Sequence, residues 1–193
     1  MGRGIAQLAA QAGCQVLLFD QSASVAENAR LQLADTWAKL VDKERMSLEE
    51  REACLDRLTV ADSLADLKAC DLVIEAVLEE LDTKRPLLVE LEAVVSPDTV
   101  LATNTSSLSV TALAAVLQRP QRMAGLHFFN PAPLMPVVEV VSGLRTDAAL
   151  CGRLADFVRS FGHTPVSAQD TPGFIVNHAG RGYGTLSLIH ISE

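Results

Sequence analysis

Residues 1–20, "MGRGIAQLAAQAGCQVLLFD", decide the class of fold that the rest of the chain must satisfy. Apolar residues recur at helical spacing from Arg3 to Ala12, and Gly13 supplies a stop signal. The next segment, "QVLLF" at 15–19, is continuously apolar, which suits a strand of a parallel sheet that is covered on both faces. The stretch therefore predicts a helix followed by a buried parallel strand, with Asp20 at the end of that strand.

Composition and charge exclude several classes of protein. The chain has 193 residues, 49% hydrophobic and 21% charged, an ordinary globular composition. Its net charge of -8 argues against the clustered basic face that nucleic-acid binding requires. No apolar stretch reaches the ~20 residues that span a membrane, and the first helix is too polar and glycine-rich for a secretory signal. We therefore expect a cytoplasmic protein with no nucleic-acid or membrane partner.

The four cysteines show no pattern of a metal site or of a disulfide framework. They are widely spaced, without a CxxC pair, at Cys14, Cys54, Cys70 and Cys151. Buried thiols in a reducing compartment are the expected state, and no metal is predicted.

Helical and strand patterns alternate along the rest of the chain. A helical excursion follows the first strand, at 22–41 and from Ser47, where Glu50 occupies the capping-box position. Further strands are predicted at 58–62, 71–77, 99–103, 122–128, 136–143 and 164–168. Further helices are predicted at 63–69, 82–95, 107–117, 146–161 and from Thr171. The alternation indicates an α/β fold with a doubly wound, mostly parallel sheet.

Two glycines begin the first helix. The N–H groups at a helix N-terminus favour phosphate, and Asp20, which follows Gly2 by 18 residues, is placed to accept hydrogen bonds from a ribose diol. A nucleotide-binding turn normally follows a strand, however, and only its second half is present here. Gly2 and Gly4 therefore fit either half of such a turn or a helix that begins with small residues.

Three further segments place polar side chains after strands. "ATNTSSL" at 102–108 brings an amide and a run of hydroxyls, of which capping of the next helix explains one or two. "GLHFFNPAPLMPVVEVV" at 125–141 ends a strand at His127 and places Glu139 among valines. "DTPGFIVN" at 170–177 begins a helix and places Asn177 about one turn into it, either as a polar contact or as a packing detail.

Glu139 is the most informative of these residues. A buried carboxylate without a partner is costly, so Glu139 should be neutral or paired. A histidine at a neighbouring strand end is a suitable partner, because the carboxylate would orient the ring and stabilise its imidazolium form. The alternative is a glutamate at an exposed sheet edge and a histidine satisfied in the core.

Together, the opening glycines, "NTSSL", "GLHFFNP" and "DTPGFIVN" resemble the pattern of the 3-hydroxyacyl-CoA dehydrogenase family over residues 1 to about 184. The resemblance implies a Rossmann-like NAD-binding domain at 1–168 and the start of a helical C-terminal domain at 169–193, with a tail that departs from the family at Leu186. It places the helical excursion after the second strand of the family's sheet. It also implies that the first strand and most of the helical domain are absent from this chain.

The resemblance carries functional roles onto matching positions. His127 corresponds to the catalytic base, Glu139 to its paired carboxylate, and Ser106 and Asn177 to the groups that hold the substrate oxygen. Lys43 matches a lysine near the coenzyme A phosphates. The implied contacts around NAD and the active site are Gly2, Gly4, Asp20, Glu79, Lys84, Asn104 and Asn130.

The implied activity is the reversible NAD-dependent oxidation of the 3-hydroxyl of a 3-hydroxyacyl-CoA by a homodimer joined through the C-terminal domain. One alternative is a catalytically silent, crystallin-type structural domain, which the retained His127 and Glu139 disfavour. Another is a dehydrogenase of other hydroxy acids, which "GLHFFNP" disfavours. "NHAGRGYG" at 177–184 is similar to the branch acting on 3-hydroxyadipyl-CoA. Because of the absent segments, we expect the 193-residue chain alone to be inactive.

Overall fold

The computed structural model describes residues 1–180 of the chain. Its helices are α1 (Gly2–Gln11), α2 (Ala23–Asp42), α3 (Leu48–Asp56), α4 (Leu81–Val94), α5 (Val110–Ala114) and α6 (Ala148–Ser160). Its strands are β1 (Val16–Leu18), β2 (Leu58–Val60), β3 (Leu72–Glu75), β4 (Val100–Thr103), β5 (Met123–Phe128), β6 (Val137–Ser142) and β7 (Thr164–Gln169). Short 3₁₀ turns cover Leu64–Ala69 and Pro120–Arg122. The predicted tail from Leu186 lies outside the described residues.

The sheet is mostly parallel, which confirms the predicted α/β class and its Rossmann-like arrangement. Five strands follow the order β3-β4-β5-β6-β7, and β1 pairs with β2 in a separate parallel pair. Neighbours are parallel except that β6 runs antiparallel to β5, a reversal that the sequence patterns did not predict. This reversal places the end of β5 beside the start of β6, where the chain turns through 129–136.

Helices cover both faces of the sheet. On one face, α1 and α6 pack through residues such as Leu8 and Leu154 against β4, β5 and β6. On the other face, α4 and α5 pack through residues such as Leu88 and Leu113. All six residues of β5 are buried, as expected for a central strand covered on both sides. The helical excursion, α2 and α3, packs against the far side of α1 around Trp37.

Strands β1 and β3 each have a hydrogen-bonded partner on one side only, within the part of the chain that the structure describes. Helix α1 packs against both groups of strands: Ile5 belongs to the core of the five-stranded sheet, and Ala10 belongs to the core beside the β1–β2 pair. The sheet is thus divided at the position next to α1. The expectation that this chain lacks the first strand of the family's sheet stays a prediction.

Two predicted helices begin later than their sequence patterns indicated. The helix predicted at 107–117 is confined to Val110–Ala114, because the Asp170 carboxylate accepts hydrogen bonds from the Val110 and Thr111 N–H groups and fixes its first turn. The helix predicted from Thr171 begins only at 176, because Gly173 (φ 77°) and Phe174 (φ 49°) adopt left-handed conformations that interrupt a right-handed helix. Asn177 therefore lies in the first turn of that helix, not one turn into it.

The cysteines are free thiols, but of the four that were expected to be buried only Cys54 is, while Cys14, Cys70 and Cys151 are half-buried. Burial raises the pKa of the Cys54, Cys70 and Cys151 thiols, which keeps them in the unreactive protonated form. Within residues 1–180, no helix combines the length and the apolar character needed to cross a membrane.

Candidate active site

His127 and Glu139 face each other across the antiparallel pair β5–β6. Their Cα atoms are register partners, so both side chains leave the same face of the sheet. The Nδ1 atom of His127 lies 2.6 Å from Oε2 of Glu139, and the two residues are 4% and 0% exposed. The predicted partner of the buried carboxylate is therefore the histidine of the neighbouring strand, and the exposed-edge alternative for Glu139 is wrong.

The second oxygen of Glu139 holds the segment that leads to Asn177. Oε1 accepts hydrogen bonds from the backbone N–H groups of Ile175 and Val176, each at 2.9 Å. With two backbone N–H groups on Oε1, the contact at Oε2 leaves His127 Nδ1 as the remaining partner of this carboxyl group. The other ring nitrogen of His127, Nε2, takes part in none of the side-chain hydrogen bonds found within residues 1–180.

Two aromatic rings flank the imidazole. The ring centroid of Phe129 lies 4.5 Å from that of His127, and the centroid of Phe174 lies 5.6 Å away. Phe174 is 3% exposed and has the positive φ noted above, so the turn that precedes the last helix brings its ring under the histidine. Both rings therefore pack close to the imidazole and restrict its rotation.

Ser106 and Asn177, the two residues predicted to hold a substrate oxygen, are neighbours in the structure. The Asn177 side-chain Nδ2 donates to the backbone oxygen of Ser106 at 3.3 Å. Ser106 lies in the loop after β4, and Asn177 lies in the first turn after the segment held by Glu139. The contact joins the loop after β4 to the helix from 176.

Glu79 organises the loop that carries Ser106. Its Oε1 accepts hydrogen bonds from Thr105 Oγ1 at 2.6 Å, from Ser106 N at 2.8 Å and from Ser107 N at 3.1 Å. Partial burial raises the pKa of the Glu79 carboxyl, but the hydrogen bonds from Thr105 and Ser106 and the Lys84 charge outweigh it and lower the pKa to about 2. Glu79 is thus ionised and fixes the hydroxyl-rich loop in place.

Lys84 lies beneath this loop and is fully buried. Its Nζ contacts Glu75 Oε1 at 2.7 Å, Glu79 Oε2 at 3.3 Å and the Val77 carbonyl oxygen at 3.3 Å. Its direct neighbours are therefore two carboxylates and a carbonyl of the protein. These contacts tie Lys84 of α4 to residues 75–79, at the end of β3 and in the segment that follows it.

Glu75 completes this network, and the sequence reasoning missed it. It is 4% exposed at the end of β3, where it accepts hydrogen bonds from Thr103 Oγ1 at 2.8 Å and Val77 N at 2.7 Å besides the Lys84 contact. A carboxylate that ends the apolar run "LVIE" was the available signal, the same signal that singled out Glu139.

The two asparagines of the predicted site have different surroundings. Asn104 follows β4, and its Oδ1 accepts the N–H of Phe128 at 2.9 Å, which ties the end of β4 to the end of β5. Asn130 is exposed at the start of the loop after β5, and its peptide bond to Pro131 is cis. Asn104 is therefore close to His127 across the sheet, and Asn130 is close to it along the chain.

The N-terminus of α1 lies against the loop after β5. A Cβ atom on Gly4 would lie 3.3 Å from Ala132 Cβ and 3.3 Å from Pro133 Cδ, so a larger residue would crowd this position. A Cβ atom on Gly2 would lie 3.8 Å from Ala76 Cβ. The close approach of small residues, together with the N–H groups of the first turn of α1, fits the binding of a dinucleotide pyrophosphate.

Asp20 and Lys43, the two remaining residues of the predicted site, follow α1 in the sequence. Asp20 is exposed after β1, and its Oδ1 accepts the N–H of Ser22 at 2.9 Å, so its other oxygen is accessible to a ribose. Lys43 is exposed immediately after α2, on the helical excursion. Among the hydrogen bonds and ion pairs of the described residues, none joins the Lys43 side chain to the His127 site.

Comparison with known proteins identifies the class. The family described as "3-hydroxyacyl-CoA dehydrogenase, NAD binding domain" matches residues 1–171. The chain belongs to the 3-hydroxyacyl-CoA dehydrogenase family, and it carries that family's NAD-binding domain.

Individual relatives agree with this assignment. A 3-hydroxyadipyl-CoA dehydrogenase of Escherichia coli is 46% identical over 183 residues, which are 95% of this chain and 38% of that protein. A 3-hydroxybutyryl-CoA dehydrogenase of Bradyrhizobium diazoefficiens is 41% identical over 92% of this chain and 60% of its own length. The crystal structure of 3-hydroxybutyryl-CoA dehydrogenase from Escherichia coli K12 superposes with a TM-score of 0.97 at 44% identity, over 100% of this chain and 41% of that one. The chain thus spans between 38% and 60% of the length of the two relatives named first.

Proposed function

We propose that the protein containing this chain catalyses the reversible NAD-dependent oxidation of the 3-hydroxyl group of a 3-hydroxyacyl-CoA thioester to the 3-keto thioester. The observation that carries the proposal is the buried His127–Glu139 pair, with 2.6 Å between Nδ1 and Oε2. In this proposal Glu139 is ionised and the proton of the imidazole lies on Nδ1, so that Nε2 is unprotonated, as a general base requires.

His127 takes the hydroxyl proton in this proposal. The O–H bond of the substrate breaks, the proton moves to Nε2, and the electron pair forms the carbonyl at C3. Bound NAD would supply the acceptor for the hydride that leaves C3. Glu139 stabilises the imidazolium that His127 becomes, because its ionised Oε2 already accepts the Nδ1–H hydrogen bond.

Ser106 and Asn177 position the substrate oxygen beside Nε2. Their contact at 3.3 Å supports this role, because it brings the Asn177 side chain beside the Ser106 backbone. Fixing the reacting oxygen near the base lowers the entropic part of the barrier. Neither group changes its own protonation state in the reaction.

The cofactor is held by residues at the carboxyl ends of the strands. The N-terminus of α1, where Gly2 and Gly4 lie, would face its phosphates, and Asp20 would bind its adenosine ribose. Asn104 and Asn130 lie towards the reacting end. Glu79 and Lys84 act around the cofactor through the loop that they fix.

The substrate is a coenzyme A thioester, with Lys43 near its phosphates. The relatives named for 3-hydroxyadipyl-CoA and 3-hydroxybutyryl-CoA support a short or dicarboxylic acyl group. The working form is a cytoplasmic homodimer joined through a helical C-terminal domain.

Steady-state kinetics of the intact protein that carries this chain tests the proposal. With NAD in excess, kcat/KM is measured for 3-hydroxybutyryl-CoA, for 3-hydroxyadipyl-CoA and for the matching free acids without coenzyme A. We expect turnover of at least one thioester and none of the free acids. Turnover of free acids alone, or of no substrate, would contradict the proposed function.

A further inference from the structure

His163 is a buried histidine that the proposed proton transfer does not use. It immediately precedes β7 and is 8% exposed. Its Nε2 atom lies 2.9 Å from the carbonyl oxygen of Ala132, and its Nδ1 atom lies 3.3 Å from the carbonyl oxygen of Phe161. Because a carbonyl oxygen only accepts hydrogen bonds, the shorter contact requires a proton on Nε2.

The partner of His163 belongs to the loop that joins β5 to β6, at 129–136. Ala132 is 2% exposed at the centre of this loop, which also carries Asn130. The side chains of Ala132 and Pro133 are the atoms that approach Gly4 at the N-terminus of α1. A shift of the Ala132 backbone would therefore change the space beside Gly4.

The segment around His163 holds the same loop at a second point. The backbone N–H of Thr164 donates to the Pro136 carbonyl oxygen at 2.8 Å, at the end of the loop. The His163 ring packs edge-on against Phe161 at 5.2 Å, and Phe161 in turn stacks on Phe128 at 6.0 Å. The orientation of the imidazole is thus set by its packing, and its Nε2–H points at one fixed acceptor.

We propose that His163 is a positioning residue for the cofactor: its Nε2–H holds the Ala132 carbonyl and thereby sets the loop at 129–136 against the N-terminus of α1. The proposal rests on the proposed function, because it takes this N-terminus to be the place where the NAD phosphates bind. His163 itself contacts neither the cofactor nor the substrate.

A matched pair of amide substitutions tests the proposal. In His163→Gln, the side-chain amide reaches the position of Nε2 and retains the donor to Ala132. In His163→Asn, the same group is one methylene shorter and reaches only the position of Nδ1. His163→Leu serves as a second variant that lacks the donor but fills the space.

NADH affinity of the intact protein is measured by fluorescence titration, together with hydrogen exchange of the Leu134 and Met135 amides in the loop. We expect His163→Gln to bind NADH within about twofold of the unmodified protein, and His163→Asn and His163→Leu to bind about three- to tenfold more weakly, as one hydrogen bond allows. The two amides should exchange faster in the Asn and Leu variants, and the KM for the thioester should stay unchanged.

Leu117→Ala provides the control for general destabilisation, because it removes a buried side chain from the opposite face of the sheet. If it weakens NADH binding as much as His163→Asn does, or if the Gln and Asn variants weaken it equally, the positioning role is wrong. If the unmodified protein binds no NADH, the proposed function fails. The exchange of the loop amides then still decides whether His163 holds the loop.

Discussion

Replacing Glu139 by glutamine separates the two oxygens that this residue uses. Glu139 accepts from His127 Nδ1 through one oxygen and from the Ile175 and Val176 amides through the other. A glutamine side chain has a single acceptor oxygen, so one of the two groups of donors loses its partner. In either orientation the amide also lacks the negative charge of the carboxylate, so Glu139→Gln weakens the stabilisation of the imidazolium whichever donors keep their partner.

The size of the effect follows from the hydrogen bond to the histidine. A hydrogen bond to a charged group contributes about 1.5–3 kcal/mol, and about 1.4 kcal/mol of transition-state stabilisation corresponds to a tenfold change in rate. Because the imidazolium charge develops during proton transfer, the loss should appear in kcat. We expect kcat to fall by about ten- to 150-fold, with the KM for NAD changed by less than about threefold.

The assay is NAD-dependent oxidation of 3-hydroxybutyryl-CoA by the intact protein at saturating concentrations of both substrates. Glu90→Gln is the matched control, because Glu90 is an exposed residue of α4 and the substitution changes the same functional group. A kcat for Glu139→Gln within about threefold of the control would refute the reasoning that the carboxylate stabilises the imidazolium.

Three further outcomes are expected. Lys84→Met should lower the free energy of unfolding in urea by about 3–5 kcal/mol, because it leaves the Glu75 carboxylate buried without its cation; the exposed Lys68→Met is the control, and a loss below about 1 kcal/mol would contradict the prediction. Because the pKa of Glu79 falls from 4.5 to about 2 on folding, its stabilisation should be complete above pH 4.5 and fade as the pH falls towards 2. The difference in unfolding free energy between the unmodified protein and Glu79→Gln should therefore shrink from about pH 6 to about pH 3, and a constant difference would count against it. Asp20 should favour NAD over NADP, because its carboxylate would face the 2′-phosphate of NADP, and equal kcat/KM values for the two cofactors would show that Asp20 does not discriminate.

Local patterns of the sequence predicted much of the fold. The apolar runs at 15–19 and 71–77 indicated parallel strands, which β1 and β3 confirm, but the predicted cover on both faces of the first strand is wrong, because Leu17 is 38% exposed. The Ser47–Glu50 capping box is present at the start of α3. The direction of β6 was not accessible in the same way, because a run of valines packs equally well in a parallel or an antiparallel strand. The late starts of α5 and of the helix from 176 depend on Asp170 and on two left-handed residues, which hydrophobic spacing does not detect.

In the candidate site, too, local patterns predicted some features, whereas others depend on contacts between residues that are distant in the sequence. The pairing of His127 with Glu139 was predictable, because a carboxylate within a valine strand needs a partner and a histidine ended a neighbouring strand. The burial of Lys84 between Glu75 and Glu79 was not, because a lysine in an amphipathic helix ordinarily reaches solvent. The hydrogen bond from His163 to Ala132 joins residues 31 positions apart, and no local pattern marks such a contact.

The role of His127 as the base is tested most directly by comparing His127→Gln with the unmodified intact protein, with kcat for the thioester and the dissociation constant for NADH measured side by side. We predict that kcat falls by at least the ~10²–10⁴-fold typical of a lost general base, while the NADH dissociation constant changes by less than about threefold. A His127→Gln protein that turns over at the normal rate would show that another group is the base.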